Sequence, residues 1–188
     1  MAARIFLMNT LAHSDSKLSK ALIAALQVIG ASLLLALFAQ VKIPLGFTPV
    51  PLSGQTFGVM FLSVLLGPRK GPLAVLLYLI EGALGLPVFA GGASGFMTLF
   101  GPTGGYLIGF LAQSFLIGRL IRYSHINLFL LLLATSFVQL GMGVLWLGQF
   151  VGFNQALSLG VYPFLAGDLL KILAVSSYFR FHEKKKAS

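Results

Sequence analysis

YPFLAGDLLKILAVSSYF, residues 162–179, is an apolar run that carries two opposite charges, Asp168 and Lys171. A spacing of three residues places both side chains on one face of a helix. Each charge would cost about 2.5–3.5 kcal/mol alone at the centre of a bilayer, so the pair predicts a functional site that faces the interior of a helix bundle. The alternative is an ion pair within the helix that only neutralises itself. Counted from Tyr162, Asp168 lies about 9 Å deep and Lys171 about 13 Å deep.

The rest of the chain is similarly apolar. Apolar side chains occupy 57% of the 188 positions, charged ones occupy 9%, and the mean hydropathy is +0.95. Soluble domains carry charge at roughly a quarter of their positions, so lipid is the expected surrounding for most of this chain. The composition predicts a single membrane domain over residues 1–188, with no linker. Residues 1–16 lack the long apolar core of a secretory signal.

Runs without charge predict an all-α integral membrane fold of six helices. The second and third runs have about 15 residues each. At that length they measure about 22 Å against a hydrocarbon core of about 30 Å, so they must thin the bilayer or lean on irregular loops. The predicted spans cover residues 18–40, 52–66, 72–86, 105–121, 128–150 and 162–179.

The positions of the lysines and arginines orient this bundle. Of the 13 cations, eleven lie on one side of the predicted spans, Lys42 is alone on the other side, and Lys171 lies within the last span. The positive-inside rule therefore predicts that both termini are cytoplasmic. This distribution explains the net charge of +9 without nucleic-acid binding. The eleven cations are Arg4, Lys17, Lys20, Arg69, Lys70, Arg119, Arg122, Arg180, Lys184, Lys185 and Lys186.

Two loops on the side opposite these cations are rich in proline and glycine. Residues 41–51 hold three prolines, and residues 87–104 hold two prolines and several glycines. Neither loop can continue a helix. Non-helical backbone at membrane depth is tolerated only where protein or a water-filled cavity surrounds it. We therefore predict re-entrant loops that form a lid over a pocket open to the outside. The alternative is two ordinary surface loops, against which their near absence of charge argues.

Several kinds of chemistry have no residues to support them. The chain has no cysteine, and His13, His125 and His182 lie far apart, so no metal site is predicted. The glycine-rich residues 91–95 and 101–105 lack the lysine of a phosphate-binding loop, so neither an ATP site nor a cofactor is predicted. Catalysis needs a base or a nucleophile, and no histidine lies in a predicted span. We therefore predict that the chain is not an enzyme.

Further candidates for pocket residues lie in the loops and at the ends of the spans. Gln55 begins the second span, and its amide both donates and accepts hydrogen bonds, which suits a neutral amide-like ligand. Gly91 and Gly92 would let the backbone approach a ligand closely. Phe89 and Tyr106 could supply apolar walls, with ordinary packing or lipid contact as the alternative.

Two other positions have two interpretations each. Glu81 ends the third span, either as an interfacial carboxylate in water or as a group that lines the pocket or locks the lid. Ala21 and Ala25 give the first span a face of small residues that permits close approach of a helix. Internal packing and docking of a second membrane protein explain that face equally well.

Several motifs carry a resemblance that runs from about residue 17 to residue 179. They are IPLG at 43–46 with PVP at 49–51 and QT at 55–56, LGPR at 66–69, GALGLPVFAGG at 82–92 and GPTGGYL at 101–107. With the acid-x-x-lysine pattern of the last span, they make the sequence similar to the BioY family, the biotin-specific S-components of energy-coupling-factor (ECF) transporters.

The resemblance implies a multi-pass protein of the cytoplasmic (inner) membrane that captures biotin at the outer face. It also implies association with a transmembrane coupling subunit and two ATPase subunits, so that this chain would bind biotin but not hydrolyse ATP. Ala21 and Ala25 match the small-residue face by which S-components dock the coupling subunit.

With biotin as the ligand, we predict roles for three pocket residues from the chemistry of its ureido ring and carboxylate. Asp168 would accept from the ureido N–H groups of biotin, and Gln55 or loop amides would donate to the ureido carbonyl. Lys171 would either hold Asp168 ionised or steer the carboxylate of the ligand. An S-component-like transporter of another small vitamin is the nearest alternative, followed by an intramembrane enzyme or a purely structural subunit.

Overall fold

The computed structural model describes residues 2–122 and 127–187, and side chains from Lys17 onward except those at 183, 184, 186 and 187. These residues form an almost entirely helical chain. The elements are α1 (Ala2–Gln40), β1 (Lys42–Ile43), β2 (Leu52–Ser53), α2 (Gln55–Ala83), a 3₁₀ turn (Ala90–Gly92), α3 (Phe96–Phe100), α4 (Gly104–Leu120), α5 (Leu128–Val151), α6 (Phe153–Gly160) and α7 (Tyr162–Ala187).

Long apolar helices make this a multi-pass membrane protein. Among the described residues, four stretches are long and apolar enough to cross a membrane: Lys17–Gln40, Gln55–Ala83, Leu128–Val151 and Phe153–His182. In the first of them, only 17% of the most apolar window is buried in the protein. The leucines and isoleucines of this stretch that are not buried form an apolar surface suited to lipid.

The helix α2 is a hairpin of two arms joined at Gly67. This glycine has φ 74° and ψ −166°, a backbone conformation that residues with a side chain rarely adopt. The two arms lie side by side, as shown by the hydrogen bond that Gln55 Nε2 on the first arm donates to Tyr78 Oη on the second over 2.6 Å. In a straight helix these residues would stand about 35 Å apart. The short runs predicted at 52–66 and 72–86 correspond to these two arms.

The other predicted boundaries agree with the helices to within a few residues, with four differences. The second arm of α2 ends at Ala83, before the predicted limit of 86. The first helix extends back to Ala2, well before residue 18, and the last helix continues to Ala187, beyond the predicted limit of 179. The structure also contains α3, α6 and the pair β1–β2, which the sequence pattern did not predict.

Buried polar side chains join the helices within the apolar interior. Ser63 on α2 donates to Ser114 on α4 over 2.7 Å, and Gln113 on α4 donates to Ser136 on α5 over 3.0 Å. All four side chains are buried. Hydrogen bonds of this kind between membrane helices contribute about 0.6–2 kcal/mol each, so they fix the relative rotation of α2, α4 and α5.

Two segments close one end of the bundle, residues 41–54 and 84–103, and we call them the pocket cover. In the first, β1 pairs antiparallel with β2. Thr48 Oγ1 of this segment donates to the carbonyl oxygen of Leu159 over 2.8 Å, which joins it to α6. In the second, the Gly95 amide donates to the carbonyl oxygen of Gly82 over 2.7 Å. Each segment is therefore hydrogen-bonded to the helices beneath it.

Candidate ligand site

A cavity of about 160 Å³ lies between the helices, directly beneath the pocket cover. Side chains of α2, α4, α5 and α7 form its walls, and both cover segments form its roof. The structure brings together most of the predicted substrate-binding residues around this cavity. Those that line it are Gln55, Phe89, Tyr106, Asp168 and Lys171.

Asp168, Lys171 and Thr56 form a charged end of the cavity. Lys171 Nζ lies 3.1 Å from Asp168 Oδ1 and donates to Thr56 Oγ1 over 2.5 Å. Thr56 Oγ1 in turn donates to Asp168 Oδ1 over 3.2 Å. The side chains of Asp168 and Lys171 are only 7% and 20% exposed, so they face the bundle interior and not lipid. Since the described residues bond only Oδ1, Asp168 Oδ2 is free to accept from a ligand.

Thr56 is a site residue that the sequence analysis did not single out. It connects α2 to α7 by bonding both charged groups. A threonine is common in apolar helices, so its type alone carried no signal. The hint in the sequence was its place beside Gln55 in a segment that carries the family resemblance, but no role was predicted for it.

Gln55 is held in place by two neighbouring hydroxyl groups. Its Oε1 accepts from Ser53 Oγ over 2.8 Å, and its Nε2 donates to Tyr78 Oη over 2.6 Å. This arrangement fixes the amide and leaves one N–H of Nε2 unused. Gln55 can therefore offer one donor to a molecule in the cavity.

Gln139 on α5 is a second residue that the sequence analysis missed. It lines the cavity and is 1% exposed. Its Oε1 has no hydrogen-bond partner among the described residues. A buried carbonyl without a partner costs about 1–3 kcal/mol, which a ligand N–H at this place would recover. A glutamine in the middle of the apolar run 128–150 was a signal that could have found it.

Aromatic rings form the apolar wall. Phe89 is buried and packs edge-on against Tyr78, with ring centroids 5.5 Å apart. The ring reaches the backbone of α2 because position 82 is glycine: a Cβ there would lie 2.1 Å from Phe89 Cζ. On the other side, Tyr106 Oη donates to the carbonyl oxygen of Gly160 over 2.7 Å, which fixes the ring between α4 and α6.

Lys42 lies at the mouth of the cavity, within the pocket cover. It lines the cavity from β1, and its side chain passes over the turn Ala90–Gly92, where a Cβ on Gly91 would lie 2.6 Å from Lys42 Cδ. Gly91 and Gly92 themselves are not among the lining residues. The role that the structure gives Gly91 is to leave room for Lys42. The sequence pattern had used Lys42 only to orient the chain.

Glu81 lies outside the cavity, between α1 and the second arm of α2. Its Oε1 accepts from Ser32 Oγ over 3.0 Å, and Ser32 is fully buried. Its Oε2 is buried and has no hydrogen-bond partner among the described residues. Glu81 as a whole is half-buried, and because it is not among the lining residues of the cavity, a pocket-lining role is wrong.

Ala21 and Ala25 are exposed on α1. Ala25 also borders a shallow apolar groove of about 380 Å³ between α1 and the second arm of α2, next to Leu73 and Leu77. Packing within this chain therefore does not occupy the small-residue face.

In the part of the chain that the structure describes, no group of three or more His, Cys, Asp or Glu side chains could hold a metal ion. His125 and the side chain of His13 lie outside the described residues.

Comparison with known proteins gives matches over most of the chain. The model of the BioY family matches residues 8–186. The probable biotin transporter BioY of Pyrococcus horikoshii is 42% identical over 71% of this chain and 79% of the relative. The biotin transporter BioY2 of Lactococcus lactis subsp. cremoris is 38% identical, over 80% of this chain and 84% of the relative. The biotin transporter BioY of Thermotoga maritima is 40% identical, over 80% of this chain and 91% of the relative.

The fold also matches a solved structure. A crystal structure of the S-component for biotin from an ECF-type ABC transporter superposes with a TM-score of 0.78 at 27% identity. The match covers 88% of this chain and 93% of that one. Sequence and fold agree, and the chain belongs to the BioY family.

Proposed function

We propose that this protein binds biotin with high affinity and takes it up across the cytoplasmic membrane, as the substrate-capture component of an ECF-type importer. The observation that carries the proposal is the cavity, which has hydrogen-bonding groups at one end, apolar rings along its wall and a lysine at its mouth. The biotin transporters among its relatives and the S-component fold support the same function.

The charged end of the cavity suits the ureido ring of biotin, which presents two N–H donors and one carbonyl acceptor. Asp168 Oδ2 would accept from one N–H group, and the unpaired Oε1 of Gln139 would accept from the other. The carbonyl oxygen would accept a hydrogen bond from the free N–H of Gln55 or from the remaining N–H of Lys171. Hydrogen bonds hold Asp168, Gln55 and Lys171 in place before the ligand arrives, which lowers the entropy lost on binding.

The rest of biotin is an apolar bicycle and tail that end in a carboxylate. Phe89 and Tyr106 would pack against the apolar part. Lys42 would then pair with the carboxylate at the mouth, while Lys171 stays paired with Asp168. This division of roles follows from the positions of the two lysines at different parts of the cavity lining, one in the pocket cover and one on α7.

The membrane topology that we propose has six spans, in a single membrane domain over residues 1–188, with both termini in the cytoplasm. The two arms of α2 would count as two short spans, and α4, with 17 residues, as another. The cations at the ends of the spans support the orientation by the positive-inside rule. The pocket cover then faces the outside, where the vitamin arrives.

The partners that we propose are a transmembrane coupling subunit and two ATPase subunits. The sequence contains no nucleotide-binding motif, so ATP hydrolysis would belong to those subunits. The exposed face of Ala21 and Ala25, with its apolar groove, is the surface proposed for the coupling subunit. This chain would act as a transporter component without catalysing a reaction.

Binding of labelled biotin to the purified full chain tests the proposal. The variant Asp168→Asn should weaken binding about 10- to 100-fold, because it loses charged hydrogen bonds of about 1.5–3 kcal/mol. Glu81→Gln is the matched control, since it makes the same change at a buried carboxylate outside the cavity. Its affinity should stay within about threefold of the wild type. A wild-type chain that does not bind biotin would refute the function, and an unchanged Asp168→Asn affinity would refute the site.

A further inference from the structure

Three arginines line a cleft at the end of the bundle opposite the pocket cover. The cleft has a volume of about 560 Å³, and its lining residues are Pro68, Arg69, Phe115, Arg119 and Arg122. It lies beside the turn of the α2 hairpin, whereas the ligand cavity lies at the start of the same hairpin. The first arm of α2, about 16 Å long, separates the two sites.

The packing of α4 on the hairpin turn holds these charges together. A Cβ on Gly118 would lie 2.5 Å from Pro68 Cα, so α4 contacts the backbone of the turn directly. Arg119 follows Gly118 directly on α4, and Arg69 follows Pro68 directly on α2. The contact between Gly118 and Pro68 therefore brings the two arginines close together. Arg122 follows Arg119 by three residues and completes the cluster.

None of the three guanidinium groups has a hydrogen bond or an ion pair with a described residue. Of the chain's four acids, Glu81 accepts from Ser32 and Asp168 pairs with Lys171, both away from this cleft. The side chains of Asp15 and Glu183 lie outside the described part. The fold therefore places three positive charges around one cleft without any described counter-charge.

We propose that this cleft binds the phosphodiester headgroup of an anionic phospholipid. Guanidinium groups bind phosphate oxygens through paired N–H donors, and basic pockets between membrane helices are known to bind lipid headgroups.

The apolar lining of the cleft favours a lipid over free phosphate. Phe115 is 53% exposed and lies one helical turn before Arg119 on α4, on the side of the middle of that helix. It offers a surface for an acyl chain next to the charged headgroup. A free phosphate ion would bind the arginines but would gain nothing from Phe115.

Native mass spectrometry of the full chain in neutral detergent tests this site, with phosphatidylglycerol as the probe and phosphatidylcholine as the uncharged comparison. The variant Arg69→Gln/Arg119→Gln/Arg122→Gln should bind phosphatidylglycerol at least about tenfold more weakly, since it removes the paired guanidinium N–H donors that the cleft offers to the phosphate oxygens. The control Lys184→Gln/Lys185→Gln/Lys186→Gln removes the same number of charges outside the lining of the cleft and should stay within about threefold of the wild type.

Three outcomes would overturn the proposal. Equal losses in the two variants would show diffuse attraction to the net positive charge and no site. Unchanged binding in the arginine variant would leave the cleft to another partner, such as an acidic protein surface. Competition by inorganic phosphate at the same concentration as the lipid would show a phosphate site that does not use Phe115. Retained biotin binding checks that each variant is folded, and the single change Arg122→Gln serves if the triple variant is not.

Discussion

Replacing Gly82 by alanine should disturb the apolar wall of the ligand cavity. The added Cβ would lie 2.1, 2.3 and 2.5 Å from three ring carbons of Phe89, distances that no side chain tolerates. Either the buried ring or the end of α2 must move. Overpacking of this kind costs about 1–3 kcal/mol, and alanine returns about 0.5–1 kcal/mol through its better helix propensity. We expect a net loss of about 1–2 kcal/mol.

Thermal unfolding of the purified protein measures this loss. For a chain of this length, 1 kcal/mol corresponds to about 2–4 °C, so Gly82→Ala should lower Tm by about 2–8 °C. Gly141→Ala is the matched control, because nothing lies within 4 Å of the position where its Cβ would be built, on α5. The same chemical change should there raise Tm by about 1–4 °C. Biotin affinity should fall about tenfold in Gly82→Ala, since Phe89 lines the cavity, and should not change in the control.

A second substitution identifies the cause. Phe89→Leu removes the ring atoms that the new methyl group would strike, so the double variant Gly82→Ala/Phe89→Leu should lose less stability than the two single changes added together. Simple additivity, or a Gly82→Ala protein with the Tm and affinity of the wild type, would contradict the packing described here.

Three further predictions concern single polar groups. Thr56→Val removes the hydroxyl between Lys171 and Asp168, so biotin affinity measured by titration calorimetry should fall about tenfold; an unchanged value would place the ligand elsewhere. Lys42→Met should weaken biotin but leave the affinity for biotin methyl ester unchanged, and equal losses for both would contradict the carboxylate contact. Ser32→Ala leaves the buried carboxylate of Glu81 without its donor, so the free energy of unfolding should fall by about 1–3 kcal/mol while biotin affinity stays constant.

Local sequence signals predicted the long helices well, because each contains a long apolar run with few charges. The two arms of α2 follow from the break at Gly67-Pro68, and α5 and α7 begin at the predicted residues. The pocket cover was predicted as two non-helical loops over a pocket, but the helix α3 within it was not predicted. Its short strands and its position depend on contacts such as that between Thr48 and Leu159, which are 111 residues apart.

The candidate site was predictable to the extent that its residues are costly in an apolar run. Asp168, Lys171 and Gln55 stood out for that reason, and all three line the cavity. Gln139 meets the same criterion and was overlooked. Thr56 can be identified only from its contacts with Asp168 and Lys171 in the structure. Its residue type gives no signal, because a hydroxyl in a helix can bond its own backbone and does not require a ligand.

The short helix α3 gives the pocket cover a convenient point of attachment. Its residue Met97 is 86% exposed, and the next residue, Thr98, lines the cavity. Since the chain has no cysteine, Met97→Cys would introduce its sole thiol. A single fluorophore attached there would sit next to the ligand without entering the cavity, so that arrival and departure of the vitamin could be followed in real time on individual molecules.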